Sequence, residues 1–126
     1  KNYSPGNLRA VSTNAGYQKA VQGWLEDEKT LRYSGCMVAD IHHILSKGQG
    51  VLSNVGGGEG SKYPDGKLRH VFECGPFAYL VEEAGGLSSD GTQSILDKPI
   101  TEIDQRTAII IGSKNEVEKT VSILSA

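Results

Sequence analysis

Residues 107–112 read TAIIIG, an apolar run with isoleucine at three consecutive positions. Such a run is a strand without a polar face. It stays out of water only if both sides of its sheet are covered, which predicts a layered domain. The remaining segments supply the layers. Residues 14–28 read as a helix with Tyr17, Ala20, Val21, Trp24 and Leu25 on one face, capped by Thr13 or Asn14. Residues 37–47 form a second helix, with Met37, Val38, Ile41, Ile44 and Leu45 on its apolar face. A third begins near Gly75 with Pro76 at its first position and stops at Gly85-Gly86. Its stripe is expected to be Phe77, Leu80, Val81 and Ala84. SKNE, 113–116, is a capping box opening a last helix through Val117, Val121 and Leu124.

Between the helices lie short extended pieces. YSPGNLRA, 3–10, is a strand end or turn rich in polar groups. TLRYSG is a strand or turn broken by Gly35, GVLSNV a strand, GGGEGSKYPDG a loop, and LSSDG a strand and turn. Strands alternating with helices over 126 residues predict one α/β domain, layered α/β/α around a mostly parallel or mixed central sheet.

A net charge of −2, with lysine and arginine spread along the chain, gives no basis for a nucleic-acid surface or a polybasic membrane patch. No apolar run is long enough to span a bilayer, and no signal-peptide pattern is present. We expect a reducing compartment and a protein that is not secreted. Cys36 and Cys74 are too far apart in sequence for a zinc motif or a disulfide framework. Both are expected to be small buried hydrophobes. The chain opens KNYSPGN and its only methionine is Met37, so we read it as a piece of a longer polypeptide.

Glu73 stands out. One turn back from Phe77, it falls in line with the expected buried stripe, between Phe72 and Cys74. A carboxylate there needs a partner. It is either a structural acid accepting backbone N–H groups at a helix start, or an oxygen ligand for a hard cation such as Mg²⁺. Basic and polar groups suited to phosphate recur in SPGN, at Arg32-Tyr33, and at Lys62, Lys67 and Arg69. The Pro64-Asp65-Gly66 turn would fix Lys67. The glycine run GGGEG lacks the GK[ST] of a P-loop, and adjacent His42 and His43 diverge on their helix too far to share a metal.

LRYSGCMVADIHHIL, GKLRHVFECGPFAYLVEEAGGLSSDG, LDKPITEIDQR and IIIGSKNEVE, in that order, resemble the C-terminal half of the fructose-1,6-bisphosphatase family. YSPGNLRA, SSDGTQSILDK and GSKNE bring the chain nearer to the sedoheptulose-bisphosphatase branch of that family. The resemblance implies the substrate-binding C-terminal part of a sugar-bisphosphatase fold and Mg²⁺- or Mn²⁺-dependent hydrolysis of the 1-phosphate of a ketose bisphosphate. By position, Glu73 matches a catalytic metal-binding glutamate, and Lys67 a lysine that contacts substrate. Tyr33 matches a tyrosine on the distal phosphate, and Arg32 an arginine reaching a neighbouring subunit's distal phosphate. Met37 matches a methionine near the sugar, and Lys62 a basic position in the preceding loop. Gly6 stands where fructose bisphosphatases carry a phosphate-binding asparagine, with Asn7 one residue later. Arg9 and Asn54 fall at or near positions of phosphate-contacting tyrosines. The implied partners are the sugar bisphosphate, the N-terminal half of the same enzyme, and further subunits in a dimer or tetramer. Other metal carboxylates and the loop that cradles the reacting phosphate would lie upstream. A fructose-1,6-bisphosphatase or dual-specificity enzyme is the alternative in the family. A non-catalytic sugar-phosphate-binding fragment is the alternative outside it.

Overall fold

A computed structural model describes residues 2–125. Lys1, on which the reading of a non-native start rests, lies outside the described residues. Five strands form one sheet: β1 (Asn2–Gly6), β2 (Thr30–Leu31), β3 (Val51–Asn54), β4 (Leu87–Ser89) and β5 (Ile109–Gly112), in the order β2-β1-β3-β5-β4. The β1 strand runs parallel to β2 and β3, whereas β5 is antiparallel to both β3 and β4. The sheet is therefore mixed, as expected.

Alternation along the central strands builds two cores. Val51 and Ile110 face a core with Tyr17, Ala20 and Trp24 of α1 (Ala15–Glu26) and Val117 of α4 (Lys114–Ser125). Leu52, Ile109 and Ile111 face the other, with Ile41 and Ile44 of α2 (Met37–Lys47) and Cys74, Ala78 and Val81 around α3 (Gly75–Glu83). The TAIIIG strand is buried on both faces, and the α/β/α layering follows from it. All five residues of β1 are buried although Asn2 and Ser4 are polar, so YSPGNLRA is a true inner strand followed by a 3-10 turn, Leu8–Ser12.

Several local expectations fail, each for a physical reason. The buried line of α3 is Cys74, Ala78 and Val81; Leu80 is 52% exposed and Ala84 lies beyond the helix. One turn of π-helix, His70–Cys74, precedes α3, with Cys74 N–H on the Arg69 carbonyl at 2.9 Å. A π-turn is wider than an α-turn, so extrapolating one turn back from Phe77 gives the wrong phase. The wider turn also relieves Pro76, whose ring would press on the carbonyl of Phe72 in an α-turn. Glu73 thus lies beside the buried line, with its side chain 28% exposed. Small residues, Cys74 and Ala78, are what let α3 approach the sheet.

Val38, Leu45 and Leu25 are exposed, because the buried stripes of α1 and α2 are narrower than their apolar content. Cys36 is exposed too, and only Cys74 is buried. The capping box at 113–116 does not close. The Ser113 N–H donates to the Gly50 carbonyl at 2.9 Å, and its hydroxyl accepts the Gly50 N–H at 2.8 Å. Glu116 pairs with buried Lys29 at 2.8 Å. Tertiary partners have taken both halves of the local motif.

Candidate functional site

Because β1, β2 and β3 are parallel, the segments after Gly6, Leu31 and Asn54 leave the same edge of the sheet. Antiparallel β5 begins at that edge. In open α/β sheets, the carboxyl ends of parallel strands are where ligand crevices form. Several of the expected residues lie there.

Asn7 adopts a left-handed backbone (φ 52°), and its side-chain amide donates to the Val55 carbonyl at 2.8 Å, tying the end of β1 to the end of β3. Asn7, Arg9 and Lys62 line one cavity of about 220 Å³, with Ser12, Thr13 and Tyr63. Lys62 and Lys67 place their ammonium groups 5.5 Å and 5.1 Å from the centroid of the Tyr63 ring. One aromatic ring thus serves two cations, which offsets part of the cost of holding like charges close.

Lys67 is fixed through its backbone. Its N–H donates to Asn54 Oδ1 at 3.2 Å, and its carbonyl accepts from the Arg106 guanidinium. The turn before it is seated tightly: Gly66 has φ 95°, and a Cβ there would meet the Thr107 carbonyl at 2.8 Å. Beneath the edge lies Tyr17, fully buried, its hydroxyl 3.0 Å from Ser53 Oγ and 3.3 Å from the Gly6 carbonyl. Burial pushes that phenol up to about 12; the Ser53 bond opposes the rise, and the Tyr33 and Tyr3 phenols add to it.

Arg32 and Tyr33 lie on the far side of β1, in the loop after β2. The Arg32 N–H bonds the Tyr3 carbonyl at 2.9 Å, and the Ser4 hydroxyl donates to the Arg32 carbonyl. Both side chains are exposed, and neither lines the Asn7–Lys62 cavity. Met37, the first residue of α2, packs partly against the core. The structure therefore places Asn7, Arg9, Lys62 and Lys67 in one group and Arg32 with Tyr33 in another, on either side of β1, and puts Met37 and Glu73 on α2 and in the turn before α3.

Glu73 Oε1 accepts the Arg69 N–H at 3.0 Å and Arg69 Nε at 3.2 Å. The Arg69 guanidinium also lies 5.0 Å over the Phe72 ring. The structural role open to Glu73 is realised, and Oε2 is left out of these bonds. A carboxylate oxygen suits Mg²⁺. Among the described residues, however, no group of three or more His, Cys, Asp or Glu could hold a metal ion. Among the described residues Glu73 is one carboxylate whose chemistry fits such an ion, without the further groups that would close a site. Next to it the Cys74 thiol is pushed up to about 12, by burial first and then by the Glu73 charge, against the opposing pull of Lys98. The sequence does not single out Tyr63 or Arg106, and marks Tyr17 only as a core residue; the Tyr63 ring sits directly after Lys62, a spacing that could have marked it.

The C-terminal domain model of fructose-1,6-bisphosphatase matches residues 1–125. Chloroplastic sedoheptulose-1,7-bisphosphatase of Triticum aestivum is 47% identical over 93% of this chain and 29% of its own length. The class 1 fructose-1,6-bisphosphatase of Trichlorobacter lovleyi is 43% identical over 98% of the chain and 38% of its own. A crystal structure described as a sedoheptulose-1,7 bisphosphatase from Toxoplasma gondii superposes with a TM-score of 0.91 at 39% identity, covering 99% of this chain and 39% of that one. The chain thus spans about a third of the length of these relatives.

Proposed function

The chain belongs to the fructose-1,6-bisphosphatase family, and on that premise we propose that it is the substrate-binding C-terminal domain of a metal-dependent sugar-bisphosphate 1-phosphatase. The proposed reaction is sedoheptulose 1,7-bisphosphate plus water to sedoheptulose 7-phosphate and phosphate. The observation that carries it is the gathering of Arg9, Lys62 and Lys67 with Asn7 at the strand edge that also carries Arg32 and Tyr33. Guanidinium, ammonium and phenol are the groups that neutralise and orient phosphate.

In this reading Arg32 and Tyr33 hold the distal phosphate, and Arg32 reaches that of a neighbouring subunit. Lys67 contacts the substrate from a backbone held by Asn54 and Arg106. Asn7, Arg9 and Lys62 complete the anion-binding edge, and Met37 borders the sugar. Glu73 is one ligand of a Mg²⁺ (or Mn²⁺) site whose other carboxylates come from the N-terminal part of the enzyme. When bound, the metal neutralises phosphoryl charge and lowers the pKa of water. The enzyme assembles as a dimer or tetramer and works in cytoplasm or plastid; relatives include chloroplastic proteins.

A fructose-1,6-bisphosphatase or dual-specificity enzyme is the second reading, favoured by the 43% identity of a class 1 fructose bisphosphatase. Assaying the full-length enzyme with Mg²⁺ on both bisphosphates separates them. We expect the higher kcat/KM on the heptulose, and no appreciable turnover by the 126-residue chain alone. Strong Mg²⁺-dependent hydrolysis by the isolated chain would overturn the shared-site reading. Substrate binding by a full-length protein without hydrolysis would support a non-catalytic role.

A further inference from the structure

Asp40 sits in the first turn of α2 and is 6% exposed, yet it forms no ion pair among the described residues. Both its oxygens converge on one donor, the Ser34 N–H, at 3.0 Å and 3.3 Å. The Ser34 hydroxyl in turn accepts the Cys36 N–H at 3.0 Å, around Gly35 with φ 86°. The helix dipole offsets part of the cost of burying this charge, but a neutral residue would avoid that cost altogether. What the carboxylate holds is one flank of the Arg32-Tyr33 dipeptide. The other flank is pinned to β1 by the Tyr3 carbonyl and the Ser4 hydroxyl. Between the two clamps the Tyr33 side chain remains 52% exposed. A loop fixed in its backbone with its polar side chains free is arranged in advance for a ligand.

We infer that Asp40 is a positioning residue for recognition of the distal phosphate: through Ser34 it fixes the loop that presents Arg32 and Tyr33. This rests on the distal-phosphate reading of that loop given above. Asp40 touches no substrate. Its effect is on the order already present when the phosphate arrives, so it acts on binding and leaves the chemical step alone.

The test uses the full-length enzyme with Asp40→Ala, Asp40→Asn and Arg32→Ala, measuring kcat and KM for the ketose bisphosphate and competitive inhibition by sedoheptulose 7-phosphate, which carries only the distal phosphate. Asp40→Ala should raise KM and the inhibition constant together by about tenfold, the loss expected for a hydrogen bond to a charged group, with kcat within about twofold. Asp40→Asn keeps one acceptor for Ser34 and should restore most of the loss. Asp40→Leu keeps the volume without the acceptors and carries the same expectation if the alanine variant does not fold. Normal KM in Asp40→Ala or Asp40→Leu beside a raised KM in Arg32→Ala overturns the inference and spares the loop reading. An unchanged KM in Arg32→Ala removes the loop reading, and the inference with it. A fall in kcat without a change in either constant, unrelieved by Asp40→Asn, would make Asp40 a general structural residue and overturn the proposal.

Discussion

Arg69 reaches Glu73 twice, through its backbone N–H at 3.0 Å and its Nε at 3.2 Å, and both bonds fall on the same carboxylate oxygen. Arg69 thus engages Oε1 and leaves Oε2 outside the pair. The pair is partly exposed, so its contribution to stability is small, about 0–1 kcal/mol. Glu73→Gln should shift the melting curve of the chain only slightly. In the full-length enzyme the same change should lower Mg²⁺ affinity and kcat together by orders of magnitude. A magnesium titration of activity beside a melting curve checks both; a destabilised but fully active variant would leave Glu73 with a structural role only.

Arg32→Ala in the full-length enzyme should raise KM about 10- to 100-fold by removing a charge-assisted bond to phosphate. If Arg32 serves a neighbouring subunit, mixed oligomers of Arg32→Ala with Lys67→Ala should recover some intact sites. Well-formed mixed oligomers that recover nothing would place Arg32 in its own subunit's site.

Asp90 sets an acid dependence. Burial alone would raise its pKa, but the Thr92 N–H, Lys98, the Gln93 N–H and the Thr92 hydroxyl outweigh that and hold it at about 2, against an ordinary 3.8. A carboxyl whose pKa is depressed on folding stabilises the folded state fully above its unfolded value and loses that as pH falls. Melting temperature should therefore drop as pH falls from about 4 to about 2, and Asp90→Asn should flatten that part of the curve. Equal slopes in the two proteins would refute the assignment.

The cysteines should differ in reactivity. Cys36 is exposed, whereas Cys74 is fully buried and its thiol is pushed up to about 12. Iodoacetamide at mildly alkaline pH should label Cys36 in the folded chain and Cys74 only after denaturation, as read by peptide mass spectrometry.

Strands and helices were legible because their apolar periods are strong: the isoleucines of β5, Tyr17, Ala20 and Trp24 of α1, and the Gly75-Pro76 start of α3 stand where the sequence placed them. What eluded the sequence depended on partners distant in the chain. The capping box failed because Gly50 claimed Ser113 from across the sheet. The phase of α3 failed because nothing local signals a π-turn. Asn7 and Arg32 leave the same end of the sheet because strand polarity, which periodicity does not encode, aligns the ends of β1, β2 and β3. Asp40 was invisible, since its donor sits in a loop whose path the helical pattern says nothing about.

Gly6 ends β1 hard against its neighbour: a Cβ there would meet Asn54 Nδ2 at 2.8 Å and the Ser53 carbonyl at 3.0 Å. Asn54 in turn holds the Lys67 N–H. Positions 6 and 54 are thus coupled as sites of variation. A side chain cannot be added at 6 until 54 gives way, and a change at 54 releases the lysine loop at the same time. Variation at this end of the sheet is therefore channelled toward positions such as Arg9, which lines the cavity, while Gly6 and Asn54 change together or not at all.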